Sequence, residues 1–132
     1  MKVIGFDHLV LNVNDVDRAL EFYTGTLGLE ALRLDEFRSG DAPFPSVRLS
    51  GSAIIDLVQS ERNPDGNNVD HFCLVIEPTD MEQLEAEFEG KGIELGRRTG
   101  RRWGAQGWGR SFYIKDSEGN TIELKSHPPG FE

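Results

Sequence analysis

Val69-Asp70-His71-Phe72-Cys73-Leu74-Val75-Ile76 repeats, in its apolar pattern and in its Asp-His pair, the opening run Phe6-Asp7-His8-Leu9-Val10-Leu11. An amphipathic helix pattern and further strand patterns follow each run, so two similar modules lie in tandem. Each module brings one histidine to the same structural place. Outward from this repeat, the chain reads as one domain, residues 1–132, made of modules 1–60 and 69–126 with a linker at 61–68. Each half has about 60 residues, a size at which a single core is rarely sufficient alone. The halves are therefore expected to share a core, with each other or with a second chain.

Charge and composition narrow the partners. With 23 acidic and 14 basic residues the net charge is -9, which argues against nucleic acid or an anionic membrane. Small molecules and further copies of the chain remain as partners, and a homodimer is the expected assembly. The single cysteine, Cys73, lies in a strand pattern and excludes an intrachain disulfide. Met1-Lys2 leads directly into a strand pattern, no signal peptide is recognisable, and no apolar run is long enough to span a bilayer. The chain is read as cytoplasmic.

Along the chain, residues 3–13 are apolar on both alternating faces and predict a strand covered on both sides, with Phe6, His8 and Val10 on one face. Asn14 or Asp15 can cap a helix whose stripe is Val16, Ala19, Leu20, Tyr23 and Leu27, ended by Gly25 and Gly28. That helix is expected to cover the face opposite His8. Residues 29–37, 46–50 and 53–59 predict strands, with a loop from Ser39 to Pro45. In the second module Thr79 and Glu82 have capping-box spacing, and Met81, Leu84 and Phe88 form the helix stripe before Gly90 and Gly92. Strands are predicted at about 93–98, 110–115 and 120–126. The result is an α+β chain of two βαβββ modules, each expected to curl into a half-barrel, the pair enclosing a cleft.

Two stretches carry a family resemblance. Asp15-Val16-Asp17-Arg18-Ala19-Leu20-Glu21-Phe22-Tyr23, closing in Leu27-Gly28-Leu29-Glu30, and Asp116-Ser117-Glu118-Gly119-Asn120-Thr121-Ile122-Glu123-Leu124 resemble the vicinal oxygen chelate superfamily. This is the glyoxalase/dioxygenase fold, shared by glyoxalase I, extradiol dioxygenases, methylmalonyl-CoA epimerase, fosfomycin-resistance transferases and bleomycin-resistance proteins. The resemblance implies metal ligands at His8, His71 and Glu123. A fourth family position, glutamate in bacterial glyoxalase I, falls on Asp56, one methylene shorter. It implies that Asp56 ligates the metal, acts through a water, or accepts a proton without touching the metal.

Two histidines with one or two carboxylates suit one divalent transition metal, Ni, Zn, Fe, Mn or Co about equally. Each donor also has a plainer reading. His8 could be a hydrogen-bonded core histidine, Asp56 could pair with Arg48 across neighbouring strands, and Glu123 could face water. Equivalent repeat positions for the histidines favour the joint site.

Gly96-Arg97-Arg98-Thr99-Gly100-Arg101-Arg102-Trp103-Gly104-Ala105-Gln106-Gly107-Trp108-Gly109-Arg110 holds five arginines, both tryptophans and no acidic residue. One reading is a mobile lid in which Arg102 and Arg110 bind an anionic substrate while Trp103 and Trp108 exclude water. The other is a solvated loop whose arginines pair with acidic surface or with a partner chain. The tail His127-Pro128-Pro129-Gly130-Phe131 reads as a plain extension.

The resemblance then implies a metal-dependent glyoxalase-like lyase or isomerase acting on a small substrate with vicinal oxygens. Asp56 or Glu123 would move the proton between adjacent carbons. The alternatives are an extradiol-type Fe(II) dioxygenase and a metal-free drug-binding resistance protein.

Overall fold

The structure is a computed structural model and describes residues 1–60 and 68–127. The linker expected at 61–68 therefore falls, but for Asn68, outside the described residues, as does the tail after His127. Contacts divide the chain into two compact units, His8–Asp70 and Met1–Asp7 with His71–Glu132. Strand β1 (Val3–Val13) contributes to both. Among the described residues, no helix is long and apolar enough to cross a membrane.

In the unit His8–Asp70 the strand order is β2 (Glu30–Leu32), β3 (Ser46–Ser50), β4 (Ala53–Gln59), β1. The β2–β3 and β3–β4 pairs are antiparallel, whereas β4 runs parallel to β1 with His8 opposite Ile54 and Val10 opposite Asp56. Parallel neighbours need a crossover, and helix α1 (Val16–Leu20) begins it. The Asp15 carboxylate accepts from the Arg18 backbone N–H at 3.1 Å and so caps this helix. Val16 and Leu20 of α1 are buried against Val47 and Leu57, with Leu11 and Val13 packed alongside. The face of β1 that carries His8 and Val10 is the opposite one.

Three expectations for this half need correction. After Leu20 the helix continues as a π-helix, Glu21–Thr26, in which the Leu27 N–H bonds to the Phe22 carbonyl five residues back. The wider turn rotates Leu27 off the buried stripe, leaving it 54% exposed, and Leu29 packs on the cluster instead. The strand expected at 29–37 ends at Leu32. Arg33 takes a left-handed conformation, φ 58°, and turns the chain into helix α2 (Leu34–Ser39), which packs Leu34 and Phe37 inward at helical spacing. Finally, Val3, Ile4 and Phe6 of β1 are exposed, so the strand is not covered on both sides along its whole length.

In the other unit the order is β5 (Val69–Ile76), β8 (Thr121–Ser126), β7 (Gly107–Lys115), β6 (Gly100–Gly104). Again the first strand runs parallel to the last, and the other pairs are antiparallel. Helix α3 (Met81–Gly90) makes the crossover and buries Met81 and Leu84 against Ile76, Phe112 and Leu124. Its cap is Asp80, whose carboxylate accepts from Gln83 N–H at 3.0 Å, rather than Thr79 one residue earlier. The strand expected at 93–98 is reduced to an isolated bridge between Leu95 and Ile114. Gly96 passes so close to Tyr113 that a Cβ on it would lie 3.1 Å from the tyrosine Cβ. The regular strand begins only at Gly100.

The arginine- and tryptophan-rich stretch is thus largely the antiparallel β6–β7 hairpin rather than a loop. The N-terminal residues fasten this hairpin from below. Asp7, fully buried, accepts from Ala105 N–H at 2.8 Å and lies 3.8 Å from the Lys125 ammonium, which donates to the Gly107 carbonyl at 2.8 Å. Lys125 lies across Gly104 and Gly109, where any side chain would collide with it.

Candidate functional site

Pleat alternation decides which side chains can act together, since on each strand the residues flanking a core position point to the other face. On β4, Ile55 and Leu57 pack toward α1, so Asp56 points the other way, to the face of β1 that carries His8. His8 Nε2 and Asp56 Oδ2 are 3.8 Å apart and both residues are almost wholly buried. Asp56 Oδ1 also accepts from Ser46 Oγ at 2.5 Å, across the β3–β4 pair. Arg48 directs its guanidinium to the Ser50 carbonyl at 3.0 Å.

The second unit builds a comparable pair. On β8, Ile122 and Leu124 pack toward α3, and Glu123 points away from it, beside Cys73 on one neighbouring strand and Tyr113 on the other. His71 Nε2 stands 3.1 Å from Glu123 Oε1, with both side chains again buried. Glu123 therefore does not face water. The Tyr113 hydroxyl lies 3.5 Å from the same His71 nitrogen, and the two rings meet edge to face at 4.9 Å. Burial, reinforced by the Glu123 carboxylate, holds the Tyr113 hydroxyl well above the ordinary phenol range. It stays protonated and can donate.

The donor chemistry fits a divalent metal. Imidazole nitrogen and carboxylate oxygen are the ligands that Fe, Ni, Zn, Mn and Co accept. A carboxylate this deeply buried needs a cation or a shared proton, because its desolvation is otherwise uncompensated. Each unit has one such carboxylate directed at a histidine.

Of the four residues read as substrate-binding, Arg102 alone is on the face of Glu123 and Tyr113. Its guanidinium lies 5.0 Å from the Tyr113 ring centroid and donates to the Ser111 carbonyl at 2.5 Å and to the Arg98 carbonyl at 3.1 Å. Arg110 and Trp108 alternate with Ser111 and Gly109 and so face the α3 side, where Arg110 is paired with Glu82. Trp103 lies directly opposite Trp108 in the hairpin and shares that outward face. Treating the stretch as a loop hid this division. Tyr113 and Ser46 were missed, although the alternation of Ser111 and Tyr113 with Phe112 and Ile114 marks Tyr113 as turned away from the core.

Comparison with known proteins agrees with this architecture. The sequence profile of the Glyoxalase/Bleomycin resistance protein/Dioxygenase superfamily matches residues 5–124. Virulence protein STM3117 of Salmonella typhimurium is 29% identical over 134 residues, covering 96% of this chain and 87% of that protein. A probable lactoylglutathione lyase of Synechocystis is 28% identical over 123 residues, covering 89% of this chain and 91% of the relative. Among solved structures, the Mn(II)-bound glyoxalase from Novosphingobium aromaticivorans superposes with a TM-score of 0.67 at 20% identity, over 95% of this chain and 39% of that one. At that identity the likeness is one of fold.

Proposed function

This chain belongs to the glyoxalase/bleomycin resistance protein/dioxygenase superfamily, and on that premise we propose that it is a metal-dependent enzyme of the glyoxalase type. It would be a cytoplasmic lyase or isomerase acting on a small substrate that offers two neighbouring oxygens. The observation that carries the reading is the pair of buried histidine–carboxylate contacts, His8 with Asp56 and His71 with Glu123, at equivalent places in two repeats. A protein that only binds a drug has no need of such donors.

His8, His71 and Glu123 would hold one divalent transition metal. When bound, the metal supplies Lewis-acid stabilisation of negative charge developing on substrate oxygen. The chain's own groups do the rest. Asp56, fixed by Ser46, is the carboxylate available to take a proton from one carbon and return it to its neighbour, with Glu123 as the second. Tyr113 keeps its proton and offers it as a hydrogen bond to the oxygen that gains charge. Arg102, behind Tyr113, keeps positive charge near an anionic substrate.

The two-histidine, one-carboxylate set also suits a non-haem Fe(II) oxygenase, which makes extradiol ring cleavage the rival reaction. One experiment separates them. Protein loaded in turn with Ni(II), Zn(II) and Fe(II) is offered a hemithioacetal in deuterated water and a catechol panel under oxygen. Deuterium appearing in the product on the carbon next to the former hemithioacetal carbon is the expected result. Oxygen uptake by the Fe(II) form alone, with no exchange under any metal, would transfer the protein to the dioxygenases. Tight drug binding without metal would make it a resistance protein.

A further inference from the structure

Within the unit His8–Asp70, an open cleft of about 460 Å³ lies between α1 with its π-helical extension and the β2–α2 segment. That volume is of the size that takes a small molecule. Its floor is apolar. Leu20 belongs to the cluster buried beneath α1, and Leu29, Ala31 and Leu34 pack on that cluster while keeping part of their surface uncovered. Leu27, which ordinary helical spacing would set on the stripe of Leu20 and Thr24, is turned out by the π-helix and does not line the cleft. The cleft opens on the helix side of the sheet, away from the face of β1 and β4 that carries His8 and Asp56.

Polar groups on the helical wall of the cleft are acceptors. The Thr24 hydroxyl donates its proton to the Leu20 carbonyl at 2.7 Å, so only its lone pairs remain for a ligand. Glu21, exposed on the preceding turn of the same wall, has no partner among the described residues. Arg38, the cation of the lining, already faces the Asp17 carboxylate at 3.5 Å. Residues 15–38 as a whole hold six acidic residues, three arginines and no lysine. Acceptors without donors and an excess of negative charge complement an ammonium group, and the floor beside them complements a hydrocarbon or aromatic body.

We propose that this cleft binds a small primary amine, whose ammonium donates to the Glu21 carboxylate and to Thr24 Oγ1 while its apolar body lies on Leu20, Leu29, Ala31 and Leu34. A carboxylate of the same shape would bring a further acceptor and a like charge to this wall. A neutral alcohol would cover the floor and leave the charge of Glu21 unanswered. The site is independent of the proposed metal chemistry, because its residues lie on the other side of the sheet from His8 and Asp56.

Titration of the full chain with 2-phenylethylamine, followed by the methyl NMR signals with and without Zn(II), tests this. The amine should bind with a Kd of about 1 mM, the strength open to so small a ligand. Its shifts should concentrate at Leu20, Leu29, Ala31 and Leu34 and be the same with and without Zn(II). The analogues 2-phenylethanol and 3-phenylpropionate should bind roughly fivefold more weakly or worse, the size of one exposed ion pair. Glu21→Gln should weaken the amine by the same roughly fivefold and leave the alcohol unchanged. Thr24→Val should also weaken the amine, and unchanged methyl spectra of the free variants will show that both remain folded. An amine that does not bind, shifts centred elsewhere, a carboxylate that binds as tightly, full affinity in Glu21→Gln, or binding that requires Zn(II) would each overturn the proposal. Metal content of the wild type is read separately, so failure here is distinct from failure of the metal site.

Discussion

The two histidine–carboxylate pairs occupy equivalent places in the repeat and are supported differently. His71 meets a glutamate at 3.1 Å, and a tyrosine hydroxyl stands beside them. His8 meets an aspartate, one methylene shorter, at 3.8 Å, and that aspartate is held back by a serine. A repeat thus preserves where a side chain sits on a strand while its neighbours change what the side chain can reach. On the proposed reading both histidines bind the metal, Glu123 and Tyr113 complete the His71 side as ligand and proton donor, and Asp56 supplies the base on the His8 side.

That difference can be broken at its largest point first. Replacing Glu123 with glutamine should lower turnover by about 10³ or more and deplete the metal, because it removes a ligand charge. Asp56→Asn should lower turnover by about 10² to 10⁴, the range for a lost general base. It should leave metal content near the wild-type level. Parallel assays of activity and metal content check both, and metal loss in Asp56→Asn would erase the distinction drawn between the pairs.

Smaller effects sharpen the comparison. Tyr113→Phe should cost about 10² in kcat, as removal of one oxyanion donor does. Its metal content should hold. Unchanged kcat in steady-state assays would remove Tyr113 from the site. Ser46→Ala should cost about 1–3 kcal/mol in urea unfolding, because the buried Asp56 carboxylate loses a donor. An unchanged midpoint would show that other groups satisfy Asp56 without it.

The smallest effect lies away from the pairs. The side-chain amide and backbone N–H of Asn120, with the N–H of Glu118, hold the Asp116 carboxyl below its ordinary value of 3.8. A carboxyl depressed on folding adds stability above that value and loses it as pH falls toward the folded value. Asp116→Ala should therefore destabilise near neutral pH and converge on wild type in strong acid, as thermal melts across pH will show. Parallel curves would exclude the linkage.

Much of this arrangement was legible in the sequence. The repeat of Asp7-His8 in Asp70-His71 located both histidines, and period-two alternation was enough to find β3, β4 and β8. What escaped was set by local backbone choices. Nothing in Glu21–Thr26 distinguishes a π-helix from an α-helix by periodicity, so Leu27 was assigned to the core. Leu34 and Phe37 carried a helical spacing, but the left-handed Arg33 that starts α2 has no residue signature, unlike glycine. The β6–β7 hairpin was obscured by its composition, since glycine, which recurs through it, is a poor strand former. Tyr113 lay within a predicted strand, and its role depended on knowing that β8 would pair with β7 so as to set Glu123 beside it.

We infer that one metal is held by His8, His71 and Glu123, with Asp56 outside the ligand set. Elemental analysis after reconstitution and desalting, on wild type, His8→Ala, His71→Ala and Asp56→Ala, tests it most directly. One equivalent of metal is expected in wild type and in Asp56→Ala, and close to none in either histidine variant while both remain folded. Equal metal in all four proteins would contradict it, as would a wild type that takes up none.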